Sequence, residues 1–255
     1  MPDDLGTPVR VEHPVRRVVS LVPSLTEALA TTRRDAVVGA TDWCTHPTDL
    51  DVRRVRGTKN PDLRAVLDLA PDLVVVNREE NRELDVRRLR EAGVPVWVTV
   101  IETLDEAFAS MRRLFDDALG WGVPGWLEQA QDHWAPAPSL GGPRVAVPIW
   151  RDPWMVVGAQ TFTGDLMARL GWVNAFGEHP EGGGRYPHVE LTELDRDDLD
   201  LVLLPDEPYV FTADDGPEAF TRVPTALVSG RLLTWYGPSL VGARAELEAV
   251  VDAGS

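Results

Sequence analysis

The sequence has a single cysteine, Cys44, in 255 residues, which excludes an intrachain disulfide framework. It has a single lysine, Lys59, and the rest of its basic charge is arginine. Basic charge is scarce overall: 25 lysines and arginines face 41 acids, a formal net charge of −16. Nucleic acid is thereby excluded as the main ligand, because phosphate neutralisation takes basic clusters. An anionic membrane surface is disfavoured on the same ground. No apolar run reaches the length of a membrane-crossing helix, about 18 residues, so no membrane insertion is expected. The first residues, Met1-Pro2-Asp3-Asp4, lack the basic and apolar regions of a secretory signal. They set the expectation of a cytoplasmic protein, with an extracytoplasmic one as the alternative if a signal stood upstream. Catalytic signatures are missing too: no GxSxG elbow, no Walker phosphate loop and no HExxH helix. Gly182-Gly183-Gly184 lacks the strand-then-helix setting of a nucleotide fingerprint. No enzymatic activity is expected.

What is present is an ordinary globular balance, 44% hydrophobic and 26% charged, enough to bury a core. The length fits one large domain or two small ones. Apolar, β-branched runs bounded by turn residues predict buried strands at 18–22, 37–40, 73–76, 96–100, 145–149, 201–204 and 226–229. Helical patterns lie between them. Ser24-Leu25-Thr26-Glu27 has capping-box spacing. Asn60-Pro61 reads as an N-cap followed by proline at the first helical position. Thr192 and Asp195 repeat the Ser/Thr-x-x-acid spacing. Alternating strands and helices predict parallel α/β units.

The two halves resemble each other. Arg17-Val18-Val19 matches Arg144-Val145-Ala146, Pro71-Asp72-Leu73-Val74 matches Leu199-Asp200-Leu201-Val202, and Val94-Pro95 matches Val223-Pro224. The offset is nearly constant, which predicts two related lobes. We place the first at 1–120 and the second at 143–255. Between them, 121–142 reads as a helix opened by Pro124, running to about Trp134, and ended by Pro136, Pro138, Gly141 and Gly142. Trp126, Ala130 and Trp134 share one face of that helix.

Several strings then carry a family resemblance. They are Ser20-Leu21-Val22-Pro23-Ser24-Leu25-Thr26-Glu27, Gly57-Thr58-Lys59-Asn60-Pro61-Asp62 and Leu69-Ala70-Pro71-Asp72-Leu73-Val74 in the first half. Trp150-Arg151-Asp152-Pro153-Trp154-Met155, Arg185-Tyr186-Pro187, Leu204-Pro205-Asp206-Glu207-Pro208-Tyr209 and Trp235-Tyr236-Gly237-Pro238 follow in the second. In this order the chain resembles the class III substrate-binding fold of cobalamin, haem and ferric-siderophore receptors, and most of all the cobalamin-binding-like helical backbone metal receptors. The resemblance implies two Rossmann-like parallel-sheet lobes joined by a single connecting helix, with the ligand in a cleft between them. It implies non-covalent capture of a corrinoid such as cobalamin, or a similar metal chelate, without catalysis. Members bound to ABC transporters dock through one surface glutamate per lobe. Arg64 and Thr192 stand at those places here, which makes permease docking doubtful; Glu193 is one position away. Ser239 stands where many relatives carry arginine.

Ligands of parallel α/β lobes meet the loops at the carboxyl ends of the strands. The candidate binding residues therefore fall in loops: Trp43, Cys44 and His46, then Asn77, Glu79 and Asn81, in the first half. In the second they are Arg151 and Trp154, Tyr186, Glu207, Tyr209 and Phe211, and finally Trp235 and Tyr236. Aromatic faces with a few polar groups suit a broad, flat, amphipathic ligand. Cys44 and His46 supply two metal-ligand types, but two do not close a metal site. No protein–metal bond is expected beyond the minor alternative of His46 as an axial ligand. The alternative for Cys44 is a small buried residue. Trp97, Trp121, Trp126 and Trp134 are expected to pack in the core. Lys59 is a candidate partner for an acid across the cleft, and Arg151 and Asp152 for each other.

Overall fold

The computed structural model describes residues 1–136, 141–179 and 184–254. Pro138, Gly182 and Gly183 lie outside the described residues. The chain divides into two compact units. The first comprises Met1–Ile101, Asp105–Gln129 and Tyr236–Pro238; the second comprises Glu102–Leu104 and the described parts of 130–235 and 239–254.

The first lobe is built on strands β1 (Val18–Ser20), β2 (Val37–Ala40), β3 (Arg53–Arg54), β6 (Leu73–Asn77) and β7 (Val96–Thr99), with the hairpin of β4 (Arg56–Gly57) and β5 (Asn60–Pro61) beside them. The sheet runs β3-β2-β1-β6-β7, parallel throughout. Its central strands are continuous apolar runs because helices cover both faces of a parallel sheet. Val19, Leu21, Val74, Val76, Val96 and Val98 form one buried cluster with Val66 and Leu89, from helices α2 (Leu63–Asp68) and α3 (Glu83–Glu91). The outer edge at β7 is occupied by the chain's own start: Asp4 N donates to the Val98 carbonyl at 3.1 Å. Asp3 and Asp4 are anchored by Arg90 and Arg113, at 2.7 and 2.6 Å.

The second lobe contains β8 (Arg144–Ala146), the hairpin of β9 (Pro148–Trp150) and β10 (Met155–Val156), β11 (Val173–Asn174), β12 (Leu201–Pro205) and β13 (Thr225–Val228). Its parallel sheet runs β11-β8-β12-β13. This is the same order as β2-β1-β6-β7, so the repeat read from the sequence is a repeat of topology. One contact appears in both copies. The Asp72 carboxylate accepts from Arg17 N at 2.9 Å while Asp72 N donates to the Arg17 carbonyl; Asp200 does the same with Arg144, its carboxylate at 2.6 Å. Each aspartate holds the start of its lobe's first strand in register with the next.

The remaining helices are α1 (Pro23–Arg33), α4 (Leu104–Arg112), α5 (Gly125–Trp134), α6 (Phe162–Arg169), α7 (Leu191–Leu194), α8 (Gly230–Thr234) and α9 (Leu240–Gly254). A π-helical turn, Arg113–Ala118, continues α4. As expected, Trp97 and Trp134 are buried, and Trp126 donates its indole N–H to Thr32 at 3.0 Å.

Three capping expectations are corrected. Ser24 does not cap α1: Pro23 already occupies the first turn, so Val22 becomes the N-cap. Proline's fixed φ and missing N–H suit that position. Asn60-Pro61 is strand β5, and Asp62 caps α2 by accepting from Ala65 N at 3.1 Å. Thr192 lies inside α7, whose capping box is Glu190 with Glu193. The run 145–149 is broken into β8 and β9, because Val147 leaves one sheet for the hairpin. The two-residue strands β3, β4, β5, β10 and β11 are too short to give a periodic signal.

Asp195 closes the amino-terminal side of the second lobe. It accepts from the Thr221 amide and hydroxyl and from the amides of Arg222 and Val223, at 2.8–3.1 Å. Desolvation works to raise its pKa, but the four donors together outweigh it and bring the value to about 2. A carboxylate depressed from 3.8 contributes stability above that value and loses it as pH falls toward 2. Asp195→Ala is therefore expected to lower Tm at pH 7 by roughly 2–6 °C. The difference should shrink between pH 4 and pH 2. Thermal scans at both ends of that range test it, and a pH-independent difference would mean that packing, not charge, is lost.

Candidate functional site

At the carboxyl edge of the first lobe, β2 runs into a loop fixed from beneath. Arg54 donates to the carbonyls of Thr41 and Cys44, at 3.0 and 2.9 Å, and of Leu50, at 3.1 Å. Cys44 is fully buried, with Thr26 Oγ1 donating to its sulfur at 2.9 Å and Thr41 Oγ1 lying 3.1 Å from it. Burial pushes the thiol pKa up against those hydrogen bonds, so the group stays a neutral packing residue. The half-buried His46 has Nδ1 3.1 Å from Thr45 Oγ1. Among the described residues no three His, Cys, Asp or Glu side chains are grouped as metal ligands would be. Trp43, between these anchors, is 66% exposed. Its indole lies over Gly57, where an added Cβ would meet Nε1 at 3.3 Å.

The end of β6 is organised by an asparagine pair. Asn77 Oδ1 accepts from the amides of Glu79 and Glu80, and its Nδ2 donates to Thr99 Oγ1 at 3.2 Å. Asn81 Oδ1 accepts from Asn77 N at 2.9 Å, while its Nδ2 donates to the carbonyls of Leu21 and Thr58, at 3.1 and 3.0 Å. Both asparagines are buried, so these bonds replace water they cannot reach. Lys59 donates to the Glu79 carbonyl. That bond serves the loop backbone. Glu79 itself is exposed.

The carboxyl edge of the second lobe is aromatic and ionic. Trp154 is buried, stacked on Phe211 at 6.0 Å with 6° between ring planes, and met edge-on by Phe220. Tyr209 bridges outward from Phe211 to Trp150, with ring centroids 4.7 and 5.6 Å away. Trp150 is 45% exposed and Val210 62%. Tyr209 donates its hydroxyl to Asp215 at 2.6 Å. Arg151 pairs with Asp215 and Glu218 and lies over the Trp154 ring at 5.5 Å. Its contact with Asp152, the partner expected from sequence, is the loosest of the three, at 3.9 Å. Nearby, Glu207 Oε1 accepts from Thr234 Oγ1 at 3.0 Å and from the Trp235 indole. Burial raises the Glu207 pKa against the pull of those two donors. Tyr186 is half-buried, with the Arg185 guanidinium over its ring at 5.7 Å.

The structure thus gathers Arg151, Trp154, Tyr209 and Phe211 into one cluster, and Glu207 with Trp235 into another. In the first lobe it joins Asn77, Glu79 and Asn81 in one loop, with Trp43 on the neighbouring loop. Trp235 and Tyr236 are both buried. Sequence reasoning missed Trp150, Asp215 and Glu218. Trp150 was legible as the neighbour of Arg151 in the same string; the two acids carry no signal, since acids are common throughout this chain.

No family model matches the chain. A vitamin B12-binding protein of Pectobacterium carotovorum is 30% identical over 101 residues, which is 39% of this chain and 37% of that protein. The likeness thus spans little more than a third of that relative. The solved periplasmic vitamin B12 binding protein of Vibrio cholerae superposes with TM-score 0.72 and 16% identity, over 94% of this chain and 98% of that one. The periplasmic haem-binding protein of Roseiflexus superposes with TM-score 0.76 and 21% identity, over 94% and 99%. These likenesses define the fold: the chain has the two-lobed α/β fold of the class III substrate-binding proteins, as its strings implied. They also overturn the cytoplasmic expectation, because these two proteins of the same fold are periplasmic. That expectation rested on Met1 to Asp4, which are part of the folded first lobe and say nothing about compartment.

Glu207 gives a test of the second lobe's edge. An acid whose pKa is raised by folding destabilises the native state as pH climbs above its ordinary value of 4.5. Both hydrogen bonds fall on Oε1, which glutamine retains. Glu207→Gln should match the wild type near pH 4 and exceed it at pH 8; a gain of about 1 kcal/mol would raise Tm by roughly 2–4 °C. Thermal scans at the two pH values decide, and a loss of stability at pH 8 would show that the carboxylate is needed ionised.

Proposed function

We propose that the protein binds a corrinoid of the vitamin B12 class non-covalently, with the carboxyl-edge loops of its lobes, and performs no chemistry on it. The likeness to vitamin B12-binding proteins carries this reading furthest. The geometry supports it. Exposed indoles at Trp43 and Trp150 offer flat apolar faces, and the loops around them are held by buried hydrogen bonds. Preformed loops lower the ordering cost of binding. A broad ring with an amide rim suits such a surface better than a small polar solute. Trp154 and Phe211 support Tyr209 from within the lobe, and Asn77 and Asn81 hold the loop that carries Glu79.

A second reading is capture outside the cytoplasm for an importer, which the periplasmic setting of the two structural neighbours favours. Arg64 and Thr192 are exposed. Glu193 is committed to its capping box. We infer that delivery to a permease, on this reading, uses contacts other than a glutamate pair at these positions, since an exposed arginine would repel a permease arginine.

Fluorescence titration with aquocobalamin, cobinamide and haemin tests the main reading. Saturable quenching by the corrinoids is expected. Trp43→Ala and Trp150→Ala should each weaken it about tenfold while the circular dichroism spectrum is unchanged. Full affinity in both variants would remove these indoles from the site.

A further inference from the structure

The arginine at the carboxyl edge of the second lobe is already engaged. Arg151 faces two carboxylates, Asp215 and Glu218, and its guanidinium covers the Trp154 ring. Its side chain is only 21% exposed. Asp215 is further fixed by the Tyr209 hydroxyl, and Glu218 by the amide of Gly216. Arginines of neighbouring loops are engaged as well: Arg185 bonds Glu102 at 2.8 Å, and Arg231 lies over Trp235 at 6.0 Å. Asp152, Asp206 and Asp214 are exposed on these loops. An incoming carboxylate therefore meets surplus negative charge and a guanidinium whose partners it would have to displace. Breaking a partly desolvated charge pair leaves its acid unpaired, which costs more than an exposed pair returns. Uncharged amides, hydroxyls and cations meet no such obstacle.

We propose, building on the corrinoid-binding reading, that Asp215 and Glu218 act as specificity-determining residues: by occupying Arg151 they make the second lobe select chelates with neutral or cationic rims over carboxylate-bearing ones. The Tyr209 bond to Asp215 makes the same arrangement position the Trp150–Tyr209 aromatic face. Selectivity and shape then depend on one network.

The test compares cyanocobalamin with its derivative in which peripheral amides are hydrolysed to carboxylates, using the full chain. The quantity read is the affinity for the acid relative to the amide. Arg151→Ala alone bares Asp215 and Glu218 and should lower that ratio, so the guanidinium's own contact is read where both acids are neutral. Asp215→Asn combined with Glu218→Gln frees the guanidinium and should raise the ratio about tenfold, the effect of one charge-assisted hydrogen bond. Adding Arg151→Ala to that pair should cancel the rise. An unmoved ratio in the folded double variant would overturn the proposal, as would a rise undiminished by the added Arg151→Ala. If the double variant does not fold, Glu218→Gln alone is read, and an unmoved ratio there overturns the proposal. Absence of saturable binding of either corrinoid by the wild type would instead sink the binding reading itself, and this proposal with it.

Discussion

A parallel strand that ends inside a protein leaves backbone groups with no ladder partner, and buried ones must be paired all the same. Both lobes are shaped by this constraint. At the amino-terminal edges, which are exposed, an aspartate just ahead of the central strand, Asp72 or Asp200, takes in water's place the amide of the first strand's arginine. At the carboxyl edge of the first lobe it is met by Asn77 and Asn81. An amide side chain both donates and accepts, so two asparagines tie together the ends of β1 and β6 and the β4–β5 hairpin. A carboxylate could not donate, and a hydroxyl has one hydrogen where Asn81 Nδ2 serves two carbonyls.

The same demand determines which side chains remain available to a ligand. Cys44, Asn77, Asn81, Trp154 and Phe211 stand at strand ends or in the loops that follow, Trp235 ends α8, and all are buried. They hold the edge in shape, and the exposed surface falls to their neighbours. Trp43 protrudes because Cys44 beside it is anchored by Thr26, Thr41 and Arg54. Trp150 protrudes because Trp154, across the β9–β10 turn, fills the core. In each lobe a buried side chain within four residues fixes the loop that carries an exposed indole. The arrangement fixes these loops while leaving their indoles exposed.

How far the sequence carried the reading follows from the same physics. The central strands were legible because a sheet covered on both faces needs unbroken apolar runs, as in the Leu73-Val74-Val75-Val76 stretch of β6. The repeat was legible because both lobes need the same aspartate and the same strand starts. The caps were misread where proline intervened: Pro23 moved the cap of α1 back from Ser24 to Val22, and Pro61 lies in a strand. The short strands and the partners of Arg151 were not legible. Two-residue pairings leave no period, and Asp215 and Glu218 lie more than sixty residues from the arginine they hold.

The two carboxyl edges answer one constraint with different chemistry. In the first lobe the organising bonds run from the Asn77 and Asn81 amides, Arg54 and Lys59 largely to backbone groups, with no ion pair among them. In the second they run through Arg151, Asp215, Glu218 and the Tyr209 hydroxyl. The Arg151 hydrogen bond holds the Glu218 pKa below its ordinary value, and the bond to Asp215 holds the Tyr209 phenol above its own. Each shift favours the paired form, so the network keeps its charges across the neutral range. Its acids are partly exposed, and exposed ion pairs weaken as salt rises. The first edge is thus a fixed surface, while the second is one whose aromatic face is held by charge. An edge held by an arginine already committed to two acids is one that, on the proposal above, also discriminates by charge.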